Sequence, residues 1–446
     1  GMRGSGSSGR GRDRRRWTDR RAAGAPAERE SSGPVRGGAV AALGVAWSFG
    51  DSVAAAPTAP QSVRLELESQ FVGPTGFSDI AAVNGTTGAD DGIVRLIRAM
   101  GGGDGGGFYR RIGGSGADTE ASGIIGPQDV VLIKINSQWD KRGGTNTDLL
   151  RSLITAIADH PDGFTGEVIV ADNGQDQYGS RGGGGSMEWR SNNAIDRSQS
   201  VNDVVGELSD RIRVSAVLWD EITHSSVGEF QDGDYTEGYV VADRPSPSTG
   251  IIVSYPKFTT RYGTMVSFKQ GIWDRSSGRY DHDALVVINV PVLKSHMIYG
   301  VTAAVKHYMG VVSDKLTRHN AHRSVGTGGM GTQMAETRVP DLNILDAIWI
   351  NARPGNGPST DYAAAVQTGI IAASRDPVAL DVWAATRILM PAAEDLGYSR
   401  TESMDPAHRA PGSFGEWLEL SARELERAGY AVTMNINTVN IRITQR

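Results

Sequence analysis

The stretch Ala284–Val312, ALVVINVPVLKSHMIYGVTAAVKHYMGVV, constrains this chain more than any other. It opens on an apolar run, Ala284–Val290, rich in β-branched residues and too short for a helix of ordinary length. Such a run reads as a strand buried on both faces. Pro291 lacks the N–H that a ladder needs and is expected to end it. Lys294, Ser295 and His296 then fall in a loop just past the strand. The next apolar segment, Val301–Val312, carries Lys306 and His307 one helical turn beyond Thr302, so it is expected to be a helix. In open α/β sheets ligands sit outside the carboxyl ends of the strands. A Lys-Ser-His triplet there, with a second lysine on the following element, is therefore a candidate for chemistry.

The flanking sequence repeats the pattern. Asp129–Ile135, Glu167–Ala171, Ile212–Leu218, Leu342–Ile350, Gly369–Ala373 and Thr438–Ile443 read as strands, and Ser62–Glu68 alternates like a half-buried one. Between them Asp90–Met100, Thr145–Asp159, Ser200–Leu208, Val378–Leu389 and Ser413–Ala428 carry helical periodicity. Thr145 followed by Asp148 resembles a capping arrangement at the second helix. The fold expectation is α/β: a mostly parallel, twisted sheet flanked by helices. Residues 220–280 change to short alternating runs with aromatic positions and read as a β-rich insertion. The expected organisation is residues 1–56 as an export signal, 57–128 as a strand, a helix and a glycine-rich linker, 129–219 and 281–446 as two parts of one α/β domain.

Polar residues follow several predicted strands: Lys134 and Asn136, Asp172 and Asn173, Lys294 and His296, Arg353 and Asn356, and Asp376. If the strands run parallel, their ends meet on one edge. Lysines gathered there suit a carboxylate or phosphate, and crowding lowers their pKa values towards a useful range for a base. Lys294, His296 and Lys306 are the candidate catalytic residues. Lys134, Asn136, Thr145, Asn146, Asp172, Asn173, His307, Asn356 and Asp376 are the candidate binding residues, with Asp172 and Asp376 placed to counter the lysine charge or to orient His296. No Gly-x-Ser-x-Gly elbow stands where a serine hydrolase needs it. Gly355-Asn356-Gly357-Pro358 lacks the spacing and lysine of a nucleotide loop and reads as a tight turn.

Composition narrows the partners. The chain has no cysteine, which excludes disulfides, thiolate metal sites and iron–sulfur clusters. His319 and His322 are spaced to share a metal with His296 or an aspartate, but histidines in an arginine-rich loop are more often solvated. No cofactor is predicted. The net charge is −6, and ten of the arginines lie within the first 36 residues, so the body is more acidic than the whole. An acidic body argues against a nucleic-acid partner; a small anionic molecule is the expected one. The arginine pairs up to Arg20-Arg21, a short weakly apolar stretch at Gly37–Gly50 and Val53-Ala54-Ala55 suit a twin-arginine export signal. Roughly 18 apolar residues are needed for a membrane span, and this stretch falls short. Oligomeric state is not legible.

Several motifs together resemble the bacterial and archaeal family called domain of unknown function 362. They are Ile133-Lys134-Ile135-Asn136, Thr145-Asn146, Val290–His296, Val301–Lys306, Pro340–Ala347, Gly355-Asn356-Gly357-Pro358 and Ser374–Asp381. The resemblance spans about residues 129–385 and implies a fold and a site more than a reaction. Many relatives look like iron–sulfur proteins with a ferredoxin-like cysteine segment; without cysteine that role does not carry over. His307 stands where the family usually has asparagine. Exported relatives with twin-arginine signals are common, which strengthens the expectation of export.

Overall fold

The computed structural model describes residues 61–101, 107–112, 123–175 and 184–446. The expected export signal at residues 1–56 and part of the glycine-rich linker, residues 102–106 and 113–122, lie outside the described residues, as do 176–183. The main sheet has eleven strands, ten of which are β1 (Ile80–Asn84), β2 (Val130–Lys134), β3 (Glu167–Asp172), β4 (Arg213–Leu218), β5 (Leu285–Asn289), β6 (Val292–His296), β7 (Gly300–Thr302), β8 (Leu342–Asn351), β9 (Val366–Ser374) and β10 (Ile441–Gln445). Gln61–Ser62 adds a short parallel pairing to β9. The backbone of the sheet runs β10-β1-β9-β8-β5-β2-β3-β4. Five of those seven pairings are parallel, and the two that involve β9 with β1 and β8 are antiparallel. The expected α/β class is thus observed as a mixed sheet.

Strand residues alternate between two packed faces, as a period of two requires. Val131, Ile133, Val168, Val170, Val286 and Ile288 face one hydrophobic layer. That layer is closed by α1 (Gly92–Ala99), α2 (Thr147–Ala158) and α3 (Val201–Leu208). Leu132, Ile169, Leu285 and Val287 face the other layer. There a separate antiparallel sheet over residues 238–281 supplies Tyr239, Tyr255, Phe258 and Val266. The same layer takes in α4 (Gly329–Glu336), α5 (Pro377–Ala384) and α6 (Phe414–Arg427). Burial on both sides is why these strands read as continuous apolar runs. Among the described residues no helix is long and apolar enough to cross a membrane.

Three local expectations are corrected. Lys294–His296 is not a loop: Pro291 interrupts the ladder for one step, and β6 resumes beside β8, where Val292 pairs with Asp346 and Lys294 with Asn351. Val301–Val312 is not a helix. Its start is β7, hairpinned on β6, and Lys306–Gly310 forms a single 3-10 turn. Apolar content there reflects complete burial on all sides, which helical periodicity does not distinguish. Thr145 is not the cap of α2; Asn146 is, accepting from the backbone N–H of Asp148 at 2.9 Å and of Leu149 at 3.2 Å.

A lysine-floored cavity at the carboxyl edge

β2, β3, β5 and β8 run in the same direction, so their carboxyl ends converge on one edge, and the β6–β7 hairpin extends the sheet there. Alternation along β6 sends Lys294 and His296 to one side and Ser295 to the other. Ser295 Oγ donates to the carbonyls of Arg353 at 2.6 Å and Asn356 at 3.0 Å, fixing the turn after β8. Lys294 pairs across the hairpin with Thr302. Gly300 makes the hairpin fit: it has φ 75°, and a Cβ there would meet the Ser403 carbonyl at 1.9 Å.

These elements enclose a cavity of about 300 Å³ lined by Lys134, Asn136, Asp172, Lys294, His296, Lys306 and His307. Tyr299, Thr302, His322, Trp139 and the Gly357–Ser359 turn complete its walls. All three lysines are buried, with exposures of 1% for Lys134 and Lys294 and 5% for Lys306.

Each lysine is held differently. Lys134 Nζ lies 3.0 Å from Asp172 Oδ1. Asp172 Oδ2 in turn accepts from Ser137 N at 2.8 Å and Ser137 Oγ at 3.0 Å. Burial lowers the Lys134 pKa and the Asp172 carboxylate opposes the shift. Lys294 Nζ donates to the Gly143 carbonyl at 2.6 Å. Burial, then Lys306, pull its pKa down to about 7, against the attraction of buried Asp346. Lys306 makes no hydrogen bond or ion pair with a described residue; its Nζ sits 5.3 Å from the centre of the Tyr299 ring. Burial and the charge on Lys134 bring it to about 7 as well. Three ammonium groups in one desolvated space are costly, so two of them are poised to give up their protons near neutrality.

Of the cavity histidines, His296 and His307 are kept as neutral imidazoles by burial and the nearby lysines. His296 Nδ1 accepts from the backbone N–H of Ile298 at 3.1 Å and of Tyr299 at 3.2 Å, so its proton is on Nε2. Burial and the nearby Lys306 and Lys294 lower its pKa to about 2. His307 Nδ1 meets Asn289 Oδ1 at 2.7 Å. The Asn289 amide is oriented by donating to the Ala304 carbonyl at 3.1 Å and Asn343 Oδ1 at 2.9 Å. Burial, Lys134 and Lys294 hold His307 well below the usual range, and the Ile135 carbonyl opposes them. Its Nε2 has no hydrogen-bond partner among the described residues, and neither do Asn136 Oδ1 and Thr302 Oγ1.

The other sequence candidates stand elsewhere. Thr145 Oγ1 accepts from Asn136 N at 2.8 Å and donates to the Val290 carbonyl, bracing the strand ends from behind. Asn146 spends its side chain on the α2 cap and the Asn193 carbonyl. Asn173 Nδ2 donates to the carbonyls of Met309 at 3.2 Å and Val312 at 2.5 Å, tying the 3-10 turn to β3. Asn356 Oδ1 accepts from Asn351 Nδ2 at 2.9 Å, and its neighbours Gly357–Ser359, not its own side chain, line the cavity. Asp376 is remote from His296 and caps α5, accepting from Val378 N at 2.8 Å and Ala379 N at 3.0 Å. The reason is topological: β9 runs antiparallel to β8, so Ser374 pairs with Asn343 at the opposite edge of the sheet. Asp172 does not orient His296 either, because its oxygens serve Lys134 and Ser137.

His319 and His322 both direct Nδ1 to Asp314 Oδ2, at 3.0 and 2.9 Å. Among the described residues no group of three histidine or acidic side chains is arranged to hold a metal ion. Sequence reasoning missed Tyr299 and Thr302. Tyr299 is fixed as a wall by its hydroxyl, which donates to the His322 carbonyl at 2.5 Å, and by its carbonyl, which accepts from Trp417 Nε1 at 3.0 Å. The signal for Thr302 was its place opposite Lys294 in a hairpin, invisible while Val301–Val312 read as a helix.

Comparison with known proteins bears on the same stretch. Residues 274–386 match the family described as Domain of unknown function (DUF362). A thylakoid-associated protein of Synechocystis sp. is 36% identical over 130 residues, covering 26% of this chain and 39% of that protein. The chain therefore aligns with well under half of that relative's length. No solved structure matches. The family match supplies Lys294, His296, Lys306 and His307, whereas Lys134, Asn136 and Asp172 come from strands outside it.

Proposed function

This chain carries a DUF362 domain, and from that premise and the cavity's chemistry we propose that it binds a small anion, a carboxylate or phosphate, and can move a proton on it. The observation that carries this reading is the convergence of three buried lysines on one cavity, of which Lys306 has no ion pair or hydrogen bond with a described residue. Buried charges are nearly always paired, so a lysine left open on a shared space points to an anionic ligand. Three lysines against one carboxylate, Asp172, set its sign. An anion seated on the Lys134 and Lys294 side draws Lys294 back to its ammonium form on binding. Lys294 then neutralises it, and Lys306 keeps a free amine that can act as a base near pH 7. His296 Nε2–H offers a neutral donor that polarises a bound oxygen.

The test is calorimetric titration of the protein with a panel of short carboxylates and phosphate esters. Lys294→Met is expected to weaken the bound member by about 10- to 100-fold, as loss of a charged hydrogen bond does. Equal affinity in wild type and Lys294→Met, with both folded, removes the assignment. Turnover of the bound member separates an enzyme from a carrier. The arginine pairs ahead of residue 56 support export by the twin-arginine route; cell fractionation that finds only cytoplasmic, uncleaved protein refutes that part.

A further inference from the structure

We infer that Lys306 is a covalent nucleophile that forms an imine with the carbonyl carbon of a small 2-oxo acid or aldehyde acid. This rests on the anion-binding reading and adds to it the class of substrate and the bond made.

The three amines are occupied differently. Lys134 is tied to Asp172 at 3.0 Å, and Lys294 donates to the Gly143 carbonyl at 2.6 Å. Lys306 alone of the three has neither an ion pair nor a hydrogen bond with a described residue, and only the face of Tyr299 stands near it, at 5.3 Å. It lies on a rigid 3-10 turn whose backbone is anchored: Asn173 grips the carbonyls of Met309 and Val312, and His307 N donates to the Ala303 carbonyl at 3.1 Å. A held but unengaged amine, desolvated beside other cations, is the arrangement by which a lysine becomes a nucleophile at neutral pH. Burial supports the same role by bringing its pKa to about 7.

The surroundings suit the remaining atoms of such a substrate. Its carboxylate matches the Lys134 and Lys294 side of the floor, and the Thr302 hydroxyl awaits a partner. His296 Nε2–H is available to the carbonyl oxygen because Nδ1 is committed to the backbone. A cavity of about 300 Å³ accepts a molecule of a few heavy atoms.

The step balances as follows. The Lys306 lone pair attacks the carbonyl carbon, the N–C bond forms, and the C=O π bond breaks onto oxygen. Nitrogen loses a proton and oxygen gains one, giving a carbinolamine. The C–O bond then breaks, and oxygen takes a second proton, from the Lys294 ammonium, and leaves as water. The nitrogen lone pair closes the C=N bond as a protonated imine.

The experiment is reductive trapping. The full chain is incubated with pyruvate or glyoxylate and cyanoborohydride at pH 7.5, and peptide mass spectrometry locates the secondary amine. At that pH a lysine near 7 holds roughly 10²- to 10³-fold more free amine than an ordinary surface lysine. One dominant adduct on Lys306 is expected, its rate half-maximal near pH 7 and suppressed by lactate or glycolate, which have no carbonyl. Lys306→Arg should lose the adduct while still gaining thermal stability from lactate. Modification spread over surface lysines, or centred on Lys294, overturns the inference. If lactate and glycolate stabilise the protein but no Lys306 adduct forms, covalency alone falls. If none of the four acids shifts the unfolding temperature or yields an adduct, the anion-binding reading falls with it.

Discussion

Gly310→Ala is the sharpest structural test of the lysine floor. Gly310 sits at the end of the 3-10 turn, and it is not among the glycines with positive φ. Its backbone therefore tolerates alanine, and by backbone entropy alone the change would stabilise by about 0.4–1 kcal/mol. Contacts reverse that sign. A Cβ at this position would lie 2.1 Å from Lys134 Nζ and 2.2 Å from Asp172 Oδ1. Asp172 is pinned by Ser137, and Lys134 can retreat only into the cavity, away from Asp172. Either the turn lifts off β3, which strains the Asn173 clasp, or the ion pair separates. Separating a buried pair costs about 3–5 kcal/mol, and overpacking alone about 1–3. We expect a net loss of roughly 2–4 kcal/mol in urea unfolding, with anion affinity reduced as well. Lys134→Met combined with Asp172→Leu removes the charges and should make the further Gly310→Ala change cheaper by at least ~1 kcal/mol. A Gly310→Ala protein as stable as wild type, or more so, refutes the packing of Lys134 and Asp172 beneath this turn.

Three further outcomes follow from the same geometry. Lys294 and Lys306 fall from an ordinary value of 10.5 to about 7 on folding. Between pH 7 and 10 the unfolded chain therefore holds more protons, so anion-free stability rises with pH by up to ~1.4 kcal/mol per unit for each lysine. Lys294→Met should flatten that slope in denaturant titrations from pH 7 to 9.5, and an unchanged slope counts against the shift. Asn146→Ala removes the cap of α2 and should cost about 0.5–2 kcal/mol while leaving anion affinity within twofold, measured by urea unfolding and calorimetry. Asp376→Ala should likewise destabilise without altering affinity; a large affinity loss would return it to the site.

Much of the scaffold was written in local pattern. Buried parallel strands such as Val130–Lys134 and Leu285–Asn289 announce themselves as apolar runs, and the Ser200–Asp203 capping box marks the start of α3 as read. Lys134, Asn136, Asp172, Lys294 and His296 were named from strand ends, and Lys306 and His307 from the apolar segment that follows; all seven line one cavity. Two kinds of information were not local. The direction of β9 depends on which neighbour it pairs with, and nothing in Val366–Ser374 states that it runs antiparallel; Asp376 was misplaced for that reason. A segment buried on every side loses its periodicity, so Val301–Val312 hid a hairpin strand and a tight turn. Polar residues after strands also serve two masters: Thr145, Asn146 and Asn173 satisfy backbone groups that the chain itself leaves open.

Proton uptake on anion binding tests the central claim most directly. Titration at pH 8 in two buffers of different ionisation enthalpy gives the number of protons taken up with each anion. The account predicts uptake approaching one proton, taken up at Lys294 and lost in Lys294→Met. Binding with no net proton uptake, or uptake unchanged by that substitution, would contradict it.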